Sequence, residues 1–259
     1  MMEPMVGAHD RIEPPRPSLL TSDSVALVGR RWLVEGTPRA AVVIAHGFGA
    51  HAEEPSVVAT AVALRDRGLD VIAYDARGHG GSGGSSTLGD LEQHDVAAGV
   101  LLAGRRSDRV VVVGASMGAI AVLRFASEHR STAGVVAVSC PARWVLPRTP
   151  KAFAAALMTR TAAGRALAAR AMRVRIARDW TDPAPPVDLV HRLDEPVAIV
   201  HGAADSFIPV DAASELYAHA NEPRTLRIVD GMGHAFSEAA LEPVCDAVDW
   251  VIAESVARS

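Results

Sequence analysis

The sequence predicts an α/β fold: a mostly parallel sheet flanked by helices, with one helical insertion. Three observations predict it. Short apolar runs recur along the chain, each followed by a helix-compatible segment. The runs "RAAVVIAHG" (39–47) and "RVVVVG" (109–114) are continuously apolar, as strands covered on both faces must be. Between Cys140 and about His191 the rhythm breaks, with more residues than a βα connection needs.

Taken in order, the first 22 residues, with prolines at 14, 15 and 17, read as a loose lead-in. "SVALVGRRWLV" (24–34) alternates like an exposed antiparallel strand or hairpin. After the strand at 39–47 comes a helix at about 55–67, with Gly68 suited to its C-terminal cap. "DVIAYDARG" (70–78) is the next strand and 88–104 the next helix. The valine run follows, then a helix near 117–129 and the strand "AGVVAVS" (133–139). Two further strands, "EPVAIVHG" (195–202) and "RTLRIVDG" (224–231), each precede a helical segment. The core therefore spans 23–140 and 190–259. The insertion covers 141–189, where 149–178 reads as two short helices meeting near Thr161–Gly164. It is expected to lie over one end of the sheet.

Composition narrows the class. A chain of 259 residues, 49% hydrophobic and 22% charged, can form one large globular domain. A net charge of −4 offers no general attraction to nucleic acid or an anionic membrane. No run approaches the ~18 apolar residues of a membrane span. The proline- and charge-broken N-terminus has no signal-like stretch, so a cytoplasmic location is expected. Cys140 and Cys245 match no metal or redox spacing and are expected as small buried hydrophobes. No H-E-x-x-H cluster occurs, and "GHGGSGG" lacks the Lys-Ser/Thr of a phosphate loop, so neither metal nor cofactor is expected.

One residue breaks the apolar logic. Ser116 stands in "GASMG" (114–118), at the C-terminal end of the valine strand, where parallel sheets bind ligands. Flanking glycines permit a sharp turn with close backbone approach, and the following helix aims its positive end at the turn. A serine hydroxyl attacks only when a base takes its proton and a carboxylate orients that base. Two later strand ends supply Asp205 and His234. Asp230 is a second possible orienting acid, and His46 a second possible base.

These motifs together resemble the α/β-hydrolase superfamily, particularly its small-lidded esterase, thioesterase and lysophospholipase-like branches. The resemblance spans about 25–255 and rests on "HGFG" (46–49), "YDARGHGGSGG" (74–84), "GASMG", "HGAADSFIP" (201–209) and "GMGH" (231–234), in family order. It implies a Ser116–Asp205–His234 triad and an oxyanion hole from the backbone N–H groups of Met117 and Phe48, with His46 bracing its loop. Asp75, Arg77 and His79 are expected to hold a turn. Trp144, Phe207 and Phe236 are expected substrate contacts. The implied reaction is ester or thioester hydrolysis of a small acyl substrate without a cofactor. The same triad would serve acyl transfer or hydrolysis of a C–C bond, and a hydrolase scaffold can also act as a non-enzymatic receptor.

From Arg143 to Arg178 there are nine basic residues (Arg143, Arg148, Lys151, Arg160, Arg165, Arg170, Arg173, Arg175, Arg178) and no acidic one. Such a lid could draw anionic substrates or offset acids of the body such as Glu53, Glu54, Asp90 and Glu92. On one continuous helix the later arginines would fall all round, which argues against a membrane-facing stripe. An aminopeptidase lid would offer carboxylates to a substrate ammonium, and residues 143–178 contain none.

Overall fold

The computed structural model describes residues 17–144 and 150–258. Eight strands form one sheet: β1 (Pro17–Leu20), β2 (Ala26–Trp32), β3 (Ala41–Ala45), β4 (Asp70–Tyr74), β5 (Val110–Ala115), β6 (Gly134–Val138), β7 (Val197–Gly202) and β8 (Arg224–Val229). Their order is β1-β2-β4-β3-β5-β6-β7-β8. The β1–β2 and β2–β4 pairs are antiparallel and the remainder are parallel. Every residue of β3, β4, β5, β6 and β7 is buried, whereas β2 and β8 are partly exposed. The continuous apolar runs are thus the doubly covered strands.

Period-two alternation divides the valines of β5 between two cores. Val110 and Val112 pack with α2 (Glu92–Ala103), α3 (Met117–Glu128), α6 (Pro186–Val190) and α7 (Asp211–His219). Val111 and Val113 pack with α1 (Pro55–Asp66) and α8 (Leu241–Ala257) on the other face. Both cysteines are buried and free, Cys140 in the first core and Cys245 in the second. Helix α1 ends as expected, with Gly68 at φ +85 donating to Arg65 O at 2.8 Å.

Three expectations need correction. Pro17–Leu20 pairs with β2, so the end of the expected lead-in is part of the sheet; residues 1–16 lie outside the described residues. Helix α2 starts at Glu92 rather than Leu88 because the buried Glu92 carboxylate accepts from Thr87 N, Gly89 N and the hydroxyls of Ser86 and Thr87. The loop winds around that acid instead of continuing the helix.

The third correction concerns the insertion. Helices α4 (Pro150–Arg160) and α5 (Ala162–Leu167) meet at Thr161, whose hydroxyl caps α5 by accepting from Gly164 N at 3.0 Å. A π-turn, Ala168–Met172, follows, and the helix stops at Arg173 with φ 57. Residues 174–177 then run extended along the loop after β4: Arg175 N donates to Gly78 O, Ser86 N to Arg175 O and Ala177 N to Ser86 O, at 2.7–2.9 Å. Alternating Val174 and Ile176 bury themselves here with Ala168. No single helix runs to 178, so the helical-wheel distribution of the arginines does not apply. Among the described residues no helix is long and apolar enough to cross a membrane.

Candidate active site

Ser116 sits between β5 and α3 at the C-terminal end of the sheet. Its φ is 51 and ψ −113, a conformation that non-glycine residues rarely hold. The glycines on either side make that turn possible for a steric reason. A Cβ on Gly114 would lie 2.3 Å from Gly118 O, and one on Gly118 would lie 2.1 Å from Ala45 O. The turn is thus wedged between its own helix and the end of β3. Among the described residues, Ser116 Oγ has no hydrogen-bond partner, His234 included.

Asp205, past the end of β7, is held by the backbone. Its Oδ1 accepts from Phe207 N and Ile208 N at 2.8 and 2.9 Å, and its Oδ2 lies 2.8 Å from His234 Nδ1. The carboxyl is fully buried. Burial pushes its pKa up, but the hydrogen bonds from His234, Ile208 and Phe207 outweigh it and hold Asp205 below the usual carboxylate value. An ionised acceptor there makes His234 Nδ1 the donor of this bond. Asp230 is exposed, and Asp205 is the acid that His234 engages.

Two residues that the motifs did not single out shape this corner. Ser139, buried at the end of β6 with φ 47, accepts at Oγ from Ala235 N at 3.1 Å. Its neighbour Val138 accepts from Ser116 N at 2.9 Å, so one strand end tethers both the serine turn and the histidine loop. His201, buried at the end of β7, donates from Nε2 to Ile208 O at 3.0 Å and steadies the loop bearing Asp205. Burial keeps its pKa low, so it stays neutral. A buried polar residue at the end of an apolar strand was the available signal, but only tertiary contacts reveal the partner. The close approach of β7 to the histidine loop also requires Gly202, where a Cβ would meet Met232 O at 2.2 Å.

On the other side, His46 donates from Nδ1 to Gly47 O at 2.8 Å and accepts at Nε2 from Ala76 N at 2.9 Å. Both ring nitrogens are committed, and burial lowers its pKa to about 3. It braces the loop and is no base. Phe48 lies edge-on to His79 at 5.6 Å and packs against Ala168, Val174 and Ile176. The N–H groups of Phe48 and Met117 donate to no described residue. The Met117 thioether is buried and receives the Ser86 hydroxyl at 3.5 Å.

Asp75 accepts from Ala52 N and Gly81 N at 2.8 and 2.9 Å, holding the turn after β4. Buried Arg77 bridges Asp95 and Asp23. Of the expected substrate contacts, Phe207 lies against His234 with centroids 4.9 Å apart and planes tilted by 36°. Trp144 is turned to the insertion, donating from Nε1 to Pro183 O, and Phe236 packs against the core beside α8. Among the described residues no three His, Cys, Asp or Glu side chains converge as a metal site.

Solved structures carry this architecture. The chain superposes on an esterase of Pyrococcus furiosus, Pf2001, with TM-score 0.68, at 22% identity over 93% of this chain and 90% of that one. Est1E of Butyrivibrio proteoclasticus, solved with ferulic acid, gives 0.66 at 22% identity, covering 92% and 99%. The fold is that of the α/β-hydrolases. By the match of residues 36–183, the chain belongs to the family described as serine aminopeptidase, S33. Its curated relatives include the uncharacterised YqkD of Bacillus subtilis, 28% identical over 66% of this chain and 58% of that protein. Human alpha/beta hydrolase domain-containing protein 17B is 24% identical over 64% and 50%. The chain thus spans a little over half the length of the curated relatives it matches.

Proposed function

We propose that the protein is a serine hydrolase cleaving a carboxylic ester or thioester through an acyl-enzyme on Ser116. The observation that carries this reading is the Ser116 backbone: a positive φ, enforced by two glycines that admit no Cβ, on a residue whose hydroxyl bonds to nothing described. Strain of about 1–3 kcal/mol at one residue is the kind retained at functional sites. The Asp205–His234 pair and the two uncommitted N–H groups supply the companions acyl transfer needs.

In this mechanism His234 Nε2 takes the hydroxyl proton as Ser116 Oγ attacks the carbonyl carbon. The carbonyl electron pair moves onto oxygen, where the N–H groups of Phe48 and Met117 hold it. Collapse expels the alkoxide or thiolate, which takes the proton from His234. A water, deprotonated in turn by His234, attacks the acyl-enzyme and releases the acid and Ser116. Residues 141–189 act as the lid, with Phe207, Trp144 and Phe236 as substrate contacts. The similarity to the esterase Pf2001 agrees with this chemistry. Aminopeptidase action is disfavoured, since 143–178 has no carboxylate to receive an ammonium.

A fluorophosphonate should label Ser116, and turnover of p-nitrophenyl esters should fall at least ~10⁴-fold in Ser116→Ala. Retained turnover would mean another nucleophile and end this reading.

A further inference from the structure

The chain contains a single lysine, Lys151, against 25 arginines. It stands in the first turn of α4. Its Nζ donates to Ser206 Oγ at 2.9 Å and lies 5.3 Å from the centroid of the Phe207 ring. That ring lies against the imidazole of His234, centroids 4.9 Å apart and planes tilted by 36°. Ammonium, phenyl ring and imidazole are therefore neighbours at the rim of the site.

The charge of this ammonium is unmatched. Arg143 pairs with Glu215 and Arg160 with Asp182, but no described carboxylate lies within ion-pair distance of Lys151. Asp205 cannot serve: its carboxyl is buried, and both oxygens are already engaged. An ammonium has three donors, and one hydrogen bond to Ser206 leaves two for a ligand. Lysine suits this place, as a compact charge on a flexible stem that reaches past an aromatic ring.

We infer that Lys151 is a specificity residue that reads a carboxylate on the alcohol portion of the ester. The inference rests on the hydrolase reading above. His234 delivers its proton to the leaving oxygen, so groups beside the imidazole flank the leaving alcohol. The N–H groups of Phe48 and Met117 instead hold the carbonyl oxygen. An acid on the leaving group would accept from Nζ beside Phe207 while its ester carbonyl faces Ser116.

The test compares 3-acetoxybenzoate with its methyl ester, taking the ratio of their kcat/KM values within each variant so that general losses cancel. Lys151→Gln should lower that ratio about tenfold, through KM, as loss of one charge-assisted hydrogen bond would. Lys151→Arg should restore most of it. A ratio unchanged in Lys151→Gln overturns the inference.

A second readout needs no turnover. Because the chain has one lysine, reductive methylation followed by peptide mass analysis reports on Lys151 alone. The product 3-hydroxybenzoate should slow its methylation, and methyl 3-hydroxybenzoate should not; equal protection, or none, overturns the inference. Should the wild type hydrolyse neither ester while the acid still protects Lys151, the hydrolase reading fails and the anion site stands.

Discussion

The serine turn and the basic insertion are held in place by opposite means. Around Ser116 the restraint is steric and main-chain. Gly114 and Gly118 have no space for a Cβ, and Ser116 N, Ala235 N and the amides at 207 and 208 are each bound within 3.1 Å. The insertion touches the body through exposed side-chain contacts, Arg143–Glu215 and Lys151–Ser206, and one short extended stretch, 174–177. Steric exclusion is steep and leaves one geometry, whereas exposed ion pairs are weak and screened by salt. The proposed mechanism thus builds its chemistry on the rigid part and leaves substrate selection to the part that can adjust.

Substitutions can break this contrast, beginning with the largest effect. Asp205→Asn should keep the fold and lower kcat on p-nitrophenyl esters by about 10⁴-fold, because the imidazole loses the acceptor that fixes its tautomer. A loss below tenfold would make Asp205 dispensable. Next, Gly118→Ala should cost on the order of 3–4 kcal/mol, seen as a Tm drop of roughly 6–15 °C, because its Cβ would meet the Ala45 carbonyl. An unchanged Tm would show that the turn has room.

The bracing histidine gives a pH signature. His46 is buried neutral with its pKa lowered to about 3, so the unfolded chain binds a proton first as pH falls. Its contribution is whole above the ordinary histidine value of about 6.5 and is lost progressively toward pH 3, by at most about 1.4 kcal/mol per unit. The slope of Tm against pH between 6.5 and 4 should therefore be shallower in His46→Asn than in the wild type. Parallel slopes would contradict a neutral buried imidazole. Smallest is Arg160→Ala: removing an exposed pair with Asp182 should alter stability by less than about 1 kcal/mol. A large change there would give the insertion the same rigidity as the serine turn.

How much was legible follows the same division. The valine strand, the glycines at 114 and 118, and the acid and histidine at strand ends were readable because sterics and chemistry restrict those positions to few residue types. Ser139 and His201 were not, since each acts on a loop distant in sequence. The insertion was legible as two helices meeting at Thr161, where a capping hydroxyl is local. Its end at Arg173 was not, because Val174 and Ile176 are buried beside Phe48, a residue distant in sequence. The body acids named as balancing the lid arginines are engaged elsewhere: Glu53 meets Arg30, Glu54 lies beside His51, Asp90 meets Arg124 and Glu92 holds its own loop, while Arg143 meets another body acid, Glu215.

By itself the sequence determined the sheet, its doubly covered strands, and the residue types able to make a sharp serine turn, because backbone sterics and hydrophobic period act over a few residues. Only the tertiary structure decided which acid meets His234, what tethers its loop, and where the one lysine stands. Those are contacts across tens of residues, and their distances depend on how every intervening element packs.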